Sequence, residues 1–154
     1  MANLIFNKRA IFDYTILEKY EAGLVLSGQE VKSLKNSNAS LKESFVTAHG
    51  QELFLTNAYI NPYKNAKENV FYSPTQPRKL LLRKAEIKHL IGKIQMRGLT
   101  LVPIKLYTKG RLIKLEFGLG KGKQKRDKRE QIKKREKISG KYLKRYKNYA
   151  IIDL

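Results

Sequence analysis

Half of this chain's excess positive charge sits in its last 34 residues. Residues 121–154 carry 14 Lys and Arg against 4 Asp and Glu, and residues 1–120 carry 19 against 9, so each part supplies +10 of a formal net charge of +20. A segment so dense in like charge repels itself and holds too little apolar material to build a core. Folding must therefore be the work of residues 1–120, with 121–154 as a basic tail. The whole chain is 42% hydrophobic and contains 6 Phe and 9 Tyr, enough for one real core but not for two full domains. Gly118-Leu119-Gly120-Lys121-Gly122 falls where the two compositions meet and reads as a flexible joint, so the boundary is placed there.

The body reads as mostly strand. Ile11 to Leu17, Ala22 to Leu26, Ser44 to Ala48 and Glu52 to Ile60 are rich in β-branched, Leu and aromatic residues, with turn signals between them. His49-Gly50 separates two of these runs as a hairpin would, and Thr108-Lys109-Gly110 joins Leu99 to Tyr107 with Arg111 to Phe117. In that last run Ile113, Leu115 and Phe117 alternate with Leu112, Lys114 and Glu116, the mark of a half-buried antiparallel strand. Ile87, Leu90, Ile91 and Ile94 repeat at i, i+3, i+4, i+7 before Gly98, which predicts a helix. A shorter helix is expected from Gln29 to Lys35, ahead of the polar loop Asn36-Ser37-Asn38. Tyr63 to Pro77 lacks periodicity and reads as a long exposed loop. Six or so short strands with two inserted helices point to a mainly β fold, a small closed or nearly closed barrel. The oligonucleotide-binding barrel is the obvious member of that class at this size.

Charge selects the partner class before any motif does. A body and tail both this basic favour a polyanion, nucleic acid first and an anionic membrane second. No stretch approaches the roughly 20 apolar residues that cross a bilayer, and the N-terminal apolar run is too short for a signal peptide, so the cytoplasm is expected. With no cysteine, disulfides, thiolate metal sites and Cys nucleophiles are excluded. His49 and His89 lack accompanying carboxylates at metal-ligand spacing, and neither a metal nor a cofactor is expected. No nucleophile, base and orienting acid lie close together, so nothing in the sequence asks for an enzyme.

The tail has its own pattern. Asp127 precedes Glu130 by three residues, Glu130 and Lys134 form an i,i+4 pair, and no Gly or Pro interrupts Asp127 to Ile138. Such a segment is expected to be disordered alone and helical along a polyanion. Farther on, Tyr142, Tyr146 and Tyr149 alternate with Lys141, Lys144, Arg145 and Lys147, a set able to stack on bases while holding phosphates, or to fold back on the body.

Six short blocks in order carry a family resemblance. They are Asn7-Lys8-Arg9-Ala10 with Asp13-Tyr14; Glu21-Ala22-Gly23-Leu24; Gly28-Gln29-Glu30-Val31-Lys32-Ser33-Leu34; Arg78-Lys79-Leu80-Leu81-Leu82; Thr100-Leu101-Val102-Pro103; and, in the tail, Gly122-Lys123 with Asp127-Lys128-Arg129. Through them the chain resembles the SsrA-binding (SmpB) family over essentially its whole length. The resemblance implies an oligonucleotide-binding-type closed barrel with two or three appended short helices and a basic tail. It also implies an adaptor and not a catalyst; a monomer is expected. The body would bind the tRNA-like domain of transfer-messenger RNA, while the tail would enter the empty messenger channel of a stalled ribosome near its decoding region. Tagging of the incomplete product and release of the ribosome would follow, as trans-translation.

By the same resemblance Asn7, Glu30 and Leu81 match positions tied to RNA binding, and Asp127, Lys128 and Arg129 match the ribosome-engaging motif. Lys32, Lys35, Arg78 and Lys79 are the nearest cations to those positions and are expected phosphate contacts. The competing readings are a salt bridge for Glu30, ordinary core for Leu81 and a solvated face for any single cation. Three features depart from the family pattern. Ile11-Phe12 stands where many relatives have Arg-His, Gln76 replaces an arginine, and Tyr149 to Leu154 is unusually apolar. A different basic RNA-binding module, such as a ribosomal protein, fits the composition equally well; the third class is an enzyme acting on RNA, for which the sequence offers no acid–base constellation.

Overall fold

A computed structural model describes residues 2–63 and 72–123. Nine strands and three helices occur among them. In chain order they are β1 (Ala2–Phe6), α1 (Lys8–Asp13), β2 (Tyr14–Leu24), α2 (Gly28–Lys35), β3 (Ala39–Ser40), β4 (Phe45–His49), β5 (Glu52–Thr56), β6 (Tyr59–Ile60), β7 (Arg78–Leu81), α3 (Lys84–Ile94), β8 (Leu99–Lys109) and β9 (Leu112–Gly122). The fold is mainly β. Seven strands form one antiparallel sheet in the order β1-β8-β4-β5-β7-β2-β9, β8 and β9 are also paired, and β3 with β6 makes a small second sheet.

Alternation builds the core. Ile113, Leu115 and Phe117 of β9 are buried while Leu112 is 60% exposed, as the period of two requires. Leu53, Leu55, Leu80, Leu101 and Leu106 meet them from the other strands. The helices add one fully buried leucine each from α2 and α3, Leu34 and Leu90, with Ile87, Ile91 and Ile94 packed alongside. Each such side chain stabilises the fold by roughly 1.5–3 kcal/mol through the apolar area it removes from water. The β8–β9 hairpin turns at Gly110, whose φ of +62° favours a residue without Cβ.

Three sequence expectations are corrected. Ile11 to Asp13 are helical, because the last carbonyls of α1 find donors only in the folded chain: the Lys123 backbone N–H donates to Asp13 O at 2.8 Å and Lys123 Nζ to Ile11 O at 3.0 Å. The runs Ile11 to Leu17 and Ala22 to Leu26 are therefore not two strands; β2 is one long strand, bulged between Ile16 and Glu18, lying along β9. Glu52 to Ile60 is broken at Asn57, which takes φ +66° between β5 and β6. The glycine run is not a joint either. β9 continues through it, and a Cβ on Gly118 would stand 2.7 Å from Ile16 Cγ2 and 3.1 Å from Glu18 O. One on Gly120 would stand 3.2 Å from both Tyr14 Cβ and Val102 Cγ2. These glycines let β2 close over β9.

Candidate nucleic-acid interface

Ser27 starts α2 with a reciprocal cap: its Oγ accepts from the Glu30 N–H, and Glu30 Oε1 accepts from the Ser27 N–H at 3.0 Å. The other carboxylate oxygen turns inward to Arg78, the first residue of β7. Arg78 Nε and Nη2 both lie 2.7 Å from Glu30 Oε2, with the two side chains 1% and 3% exposed. Arg78 Nη1 donates to Ala58 O at 2.6 Å and Nη2 to Pro74 O at 2.9 Å. Tyr72 adds its hydroxyl, donating to Ile60 O at 2.8 Å; burial beside the Glu30 charge raises its pKa. The pair is thus fully hydrogen-bonded. Breaking such a buried pair by removing one partner costs about 3–5 kcal/mol.

This geometry revises two expected contacts. Arg78 faces the interior and its guanidinium is occupied, so it offers no surface for a phosphate. Glu30 is a buried salt-bridge partner. Their neighbours point the other way. Alternation along β7 buries Arg78 and Leu80 and exposes Lys79 and Leu81. Lys79 Nζ pairs with Glu52 in a half-exposed bridge, the kind worth about 0–1 kcal/mol and readily exchanged for a phosphate. Leu81 is 53% exposed, not core. It lines a groove of about 730 Å³ with Lys79, Arg83, Lys84, Lys114 and Glu21. Glu21 accepts from the Tyr107 hydroxyl and from Lys109 Nζ, and these bonds, Tyr107 first, hold its carboxyl below the usual range. On α2, Lys35 is exposed and Lys32 sits 5.3 Å from the centroid of the Tyr63 ring, a cation–π contact.

Asn7 is 7% exposed. It joins β1 to α1: its backbone N–H donates to Ile104 O at 2.7 Å and its Nδ2 to Pro103 O at 2.9 Å, beside the β8–β9 bulge. Around it lies a second groove of about 790 Å³, where Lys8, Arg9 and Lys42 meet the half-exposed rings of Phe6 and Phe45. Phe12 lies under the Arg9 guanidinium at 5.2 Å. Gln76 reaches Glu30 Oε2 at 3.4 Å and so joins the buried cluster.

The structure therefore brings together Lys79 and Leu81 in one groove, sets Lys32 and Lys35 on α2, and withdraws Asn7, Glu30 and Arg78 from the surface. Sequence reading missed Lys114, Lys84 and Glu21 at the Leu81 groove; alternation along β9 turns the half-buried Lys114 away from the core and carried that signal. Asp127, Lys128 and Arg129 lie outside the described residues. Among the described residues no three His, Asp or Glu side chains group as metal ligands, and no helix is long and apolar enough to cross a membrane.

A mainly β body with exposed lysines around an exposed leucine, and paired aromatic and cationic side chains, defines a basic protein built to hold a polyanion. The sequence matches the family described as SmpB protein over residues 4–147. Similar relatives include the SsrA-binding proteins of Burkholderia thailandensis, 48% identical over 87% of this chain and 90% of its own. That of Ralstonia pickettii is 51% identical over 84% and 88%, respectively. A chain in the solved structure "tmRNA-SmpB: a journey to the center of the bacterial ribosome" is 45% identical, with a TM-score of 0.66 over 78% of this chain and 84% of that one. The chain belongs to the SmpB protein family.

Proposed function

We propose that this protein binds the tRNA-like domain of transfer-messenger RNA and delivers it to stalled ribosomes for trans-translation. The observation that carries the reading is the 45% identity, over 78% of the chain, to a protein in a tmRNA–SmpB structure. The exposed set Lys32, Lys35, Lys79 and Leu81 supports it, since cations around an apolar contact suit a folded RNA, phosphates positioning and Leu81 packing on a base or sugar. On this reading the body is an oligonucleotide-binding-type barrel: the pairings β8–β4–β5–β7–β2–β9 return to β8, an order that closure would produce. The tail beyond Lys123, with Asp127, Lys128 and Arg129, engages the messenger channel and decoding region. The protein acts in the cytoplasm as a monomeric adaptor, by binding and not by catalysis.

The test is a competition in solution. The full chain is titrated with a tRNA-like RNA bearing an intact elbow and with a simple duplex of equal length, at fixed salt. Preference for the tRNA-like fold is expected. Equal affinity would favour a general basic RNA-binding module instead.

A further inference from the structure

We infer that the buried Glu30–Arg78 pair is a positioning device that sets α2 and β7 at the spacing the RNA requires, with neither residue touching the RNA. The inference rests on the RNA-binding reading above. Four candidate contacts sit on just two elements, Lys32 and Lys35 on α2, and Lys79 and Leu81 on β7. The ion pair is the polar link between those elements. Glu30 holds the first turn of α2 through the Ser27 cap with one oxygen and takes β7 through Arg78 with the other, at 2.7 Å. Arg78 then reaches Ala58 O and Pro74 O, so it also ties together the described chain on either side of residues 64–71, where the expected loop lies outside the described residues and Ile60 N donates to Pro74 O at 3.0 Å. Farther along α2, Ser33 Oγ donates to Asn61 O at 2.7 Å and brings Tyr63 within reach of Lys32.

The consequence is that Glu30 supports RNA binding from the interior, which a carboxylate facing phosphates could not do without repulsion. Contact points on two elements discriminate a folded RNA only while their separation is fixed, because misplacement by about 1 Å is enough to lose a well-oriented interaction.

A double-substitution cycle on the full chain tests this. Glu30→Gln, Arg78→Gln and the combination are titrated with the tRNA-like RNA across a salt series. Each single change is expected to weaken binding about tenfold or more by leaving one buried partner unmatched. The neutral amide pair should bind no more weakly than the worse single, with the salt slope of the unaltered protein. Losses that multiply would overturn the inference, as would singles that bind normally. A slope lowered by about 0.7–0.9, the signature of one lost phosphate contact, would assign Arg78 to the RNA directly. Thermal unfolding of the same four proteins reads the link without RNA, and singles as stable as the unaltered chain would also overturn it. Failure of the unaltered protein to prefer the tRNA-like RNA counts against the proposed function instead, and the unfolding cycle still judges the clamp.

Discussion

Gly118→Ala separates a packing glycine from a flexible one. The new Cβ would stand 2.7 Å from Ile16 Cγ2, 3.1 Å from Glu18 O and 3.3 Å from Ile104 Cδ1. Carbon atoms rest at about 3.5–4.0 Å, so β2 must move away from β9 by roughly 1 Å, and the Glu18 carbonyl is backbone that cannot rotate aside. Overpacking of this kind costs about 1–3 kcal/mol, offset by the 0.5–1 kcal/mol that alanine gains over glycine within a strand. The net expectation is a loss of about 1–2 kcal/mol, or about 4–8 °C in Tm for a body of this size. Gly122→Ala is the internal control, since nothing lies within 4 Å of its Cβ position, and it should change stability by less than about 0.5 kcal/mol. Urea unfolding of both variants, followed by circular dichroism with the m-value held in common, measures the difference. Gly118→Ala as stable as Gly122→Ala would refute the argument and restore the joint.

Three further outcomes are expected. Leu81→Ala should leave unfolding within about 1 kcal/mol, because the side chain is half exposed, yet weaken binding to the tRNA-like RNA about tenfold; filter-binding at fixed salt checks it. Removing residues 124–154, a cut placed after Lys123 has tied α1 to β9, should keep most of the RNA affinity and abolish tagging in a stalled-ribosome assay. At high pH, burial and then the Glu18 hydrogen bond push Tyr20 up to about 12 from an ordinary 10. A raised folded pKa means this contribution is intact below pH 10 and lost as pH climbs toward 12. Phenolate absorbance should show one late-titrating tyrosine disappear in Tyr20→Phe, and an unchanged titration would remove the assignment.

The elements legible in the sequence were those whose period survives on its own. The β8–β9 hairpin and α3 declare themselves because their apolar residues face one core at the period of their own backbone. α1 could not be read, since it is held by Lys123, more than a hundred residues away, and Ile11 and Phe12 look like strand formers. The glycines misled for the same reason: a close approach between strands and a flexible loop use the same residue, and only the partner strand distinguishes them. At the candidate interface the motifs single out segments but do not give the directions of their side chains. Within Arg78-Lys79-Leu80-Leu81 adjacent residues face opposite ways, so an ion pair and a surface cation are neighbours in sequence. Glu30 faces inward to Arg78, 48 residues on, a pairing that no period in the sequence announces.

The strand pairing has a consequence for synthesis. β1, the first of the described elements, takes its hydrogen-bond partner from β8, with Ala2 opposite Thr108, and β2 lies along β9 from Tyr14 opposite Gly122 to Gly23 opposite Lys114. Pairings this far apart in sequence close slowly, and in a chain emerging N-terminus first β1 must wait for β8 and β2 for β9. Translation interrupted before β9 therefore leaves β2 and β8 without their β9 partner and the leucines that β9 packs against uncovered. If the proposed function holds, such a fragment is the kind of unfinished product that the protein marks for disposal. Its supply then depends on complete copies already present in the cell.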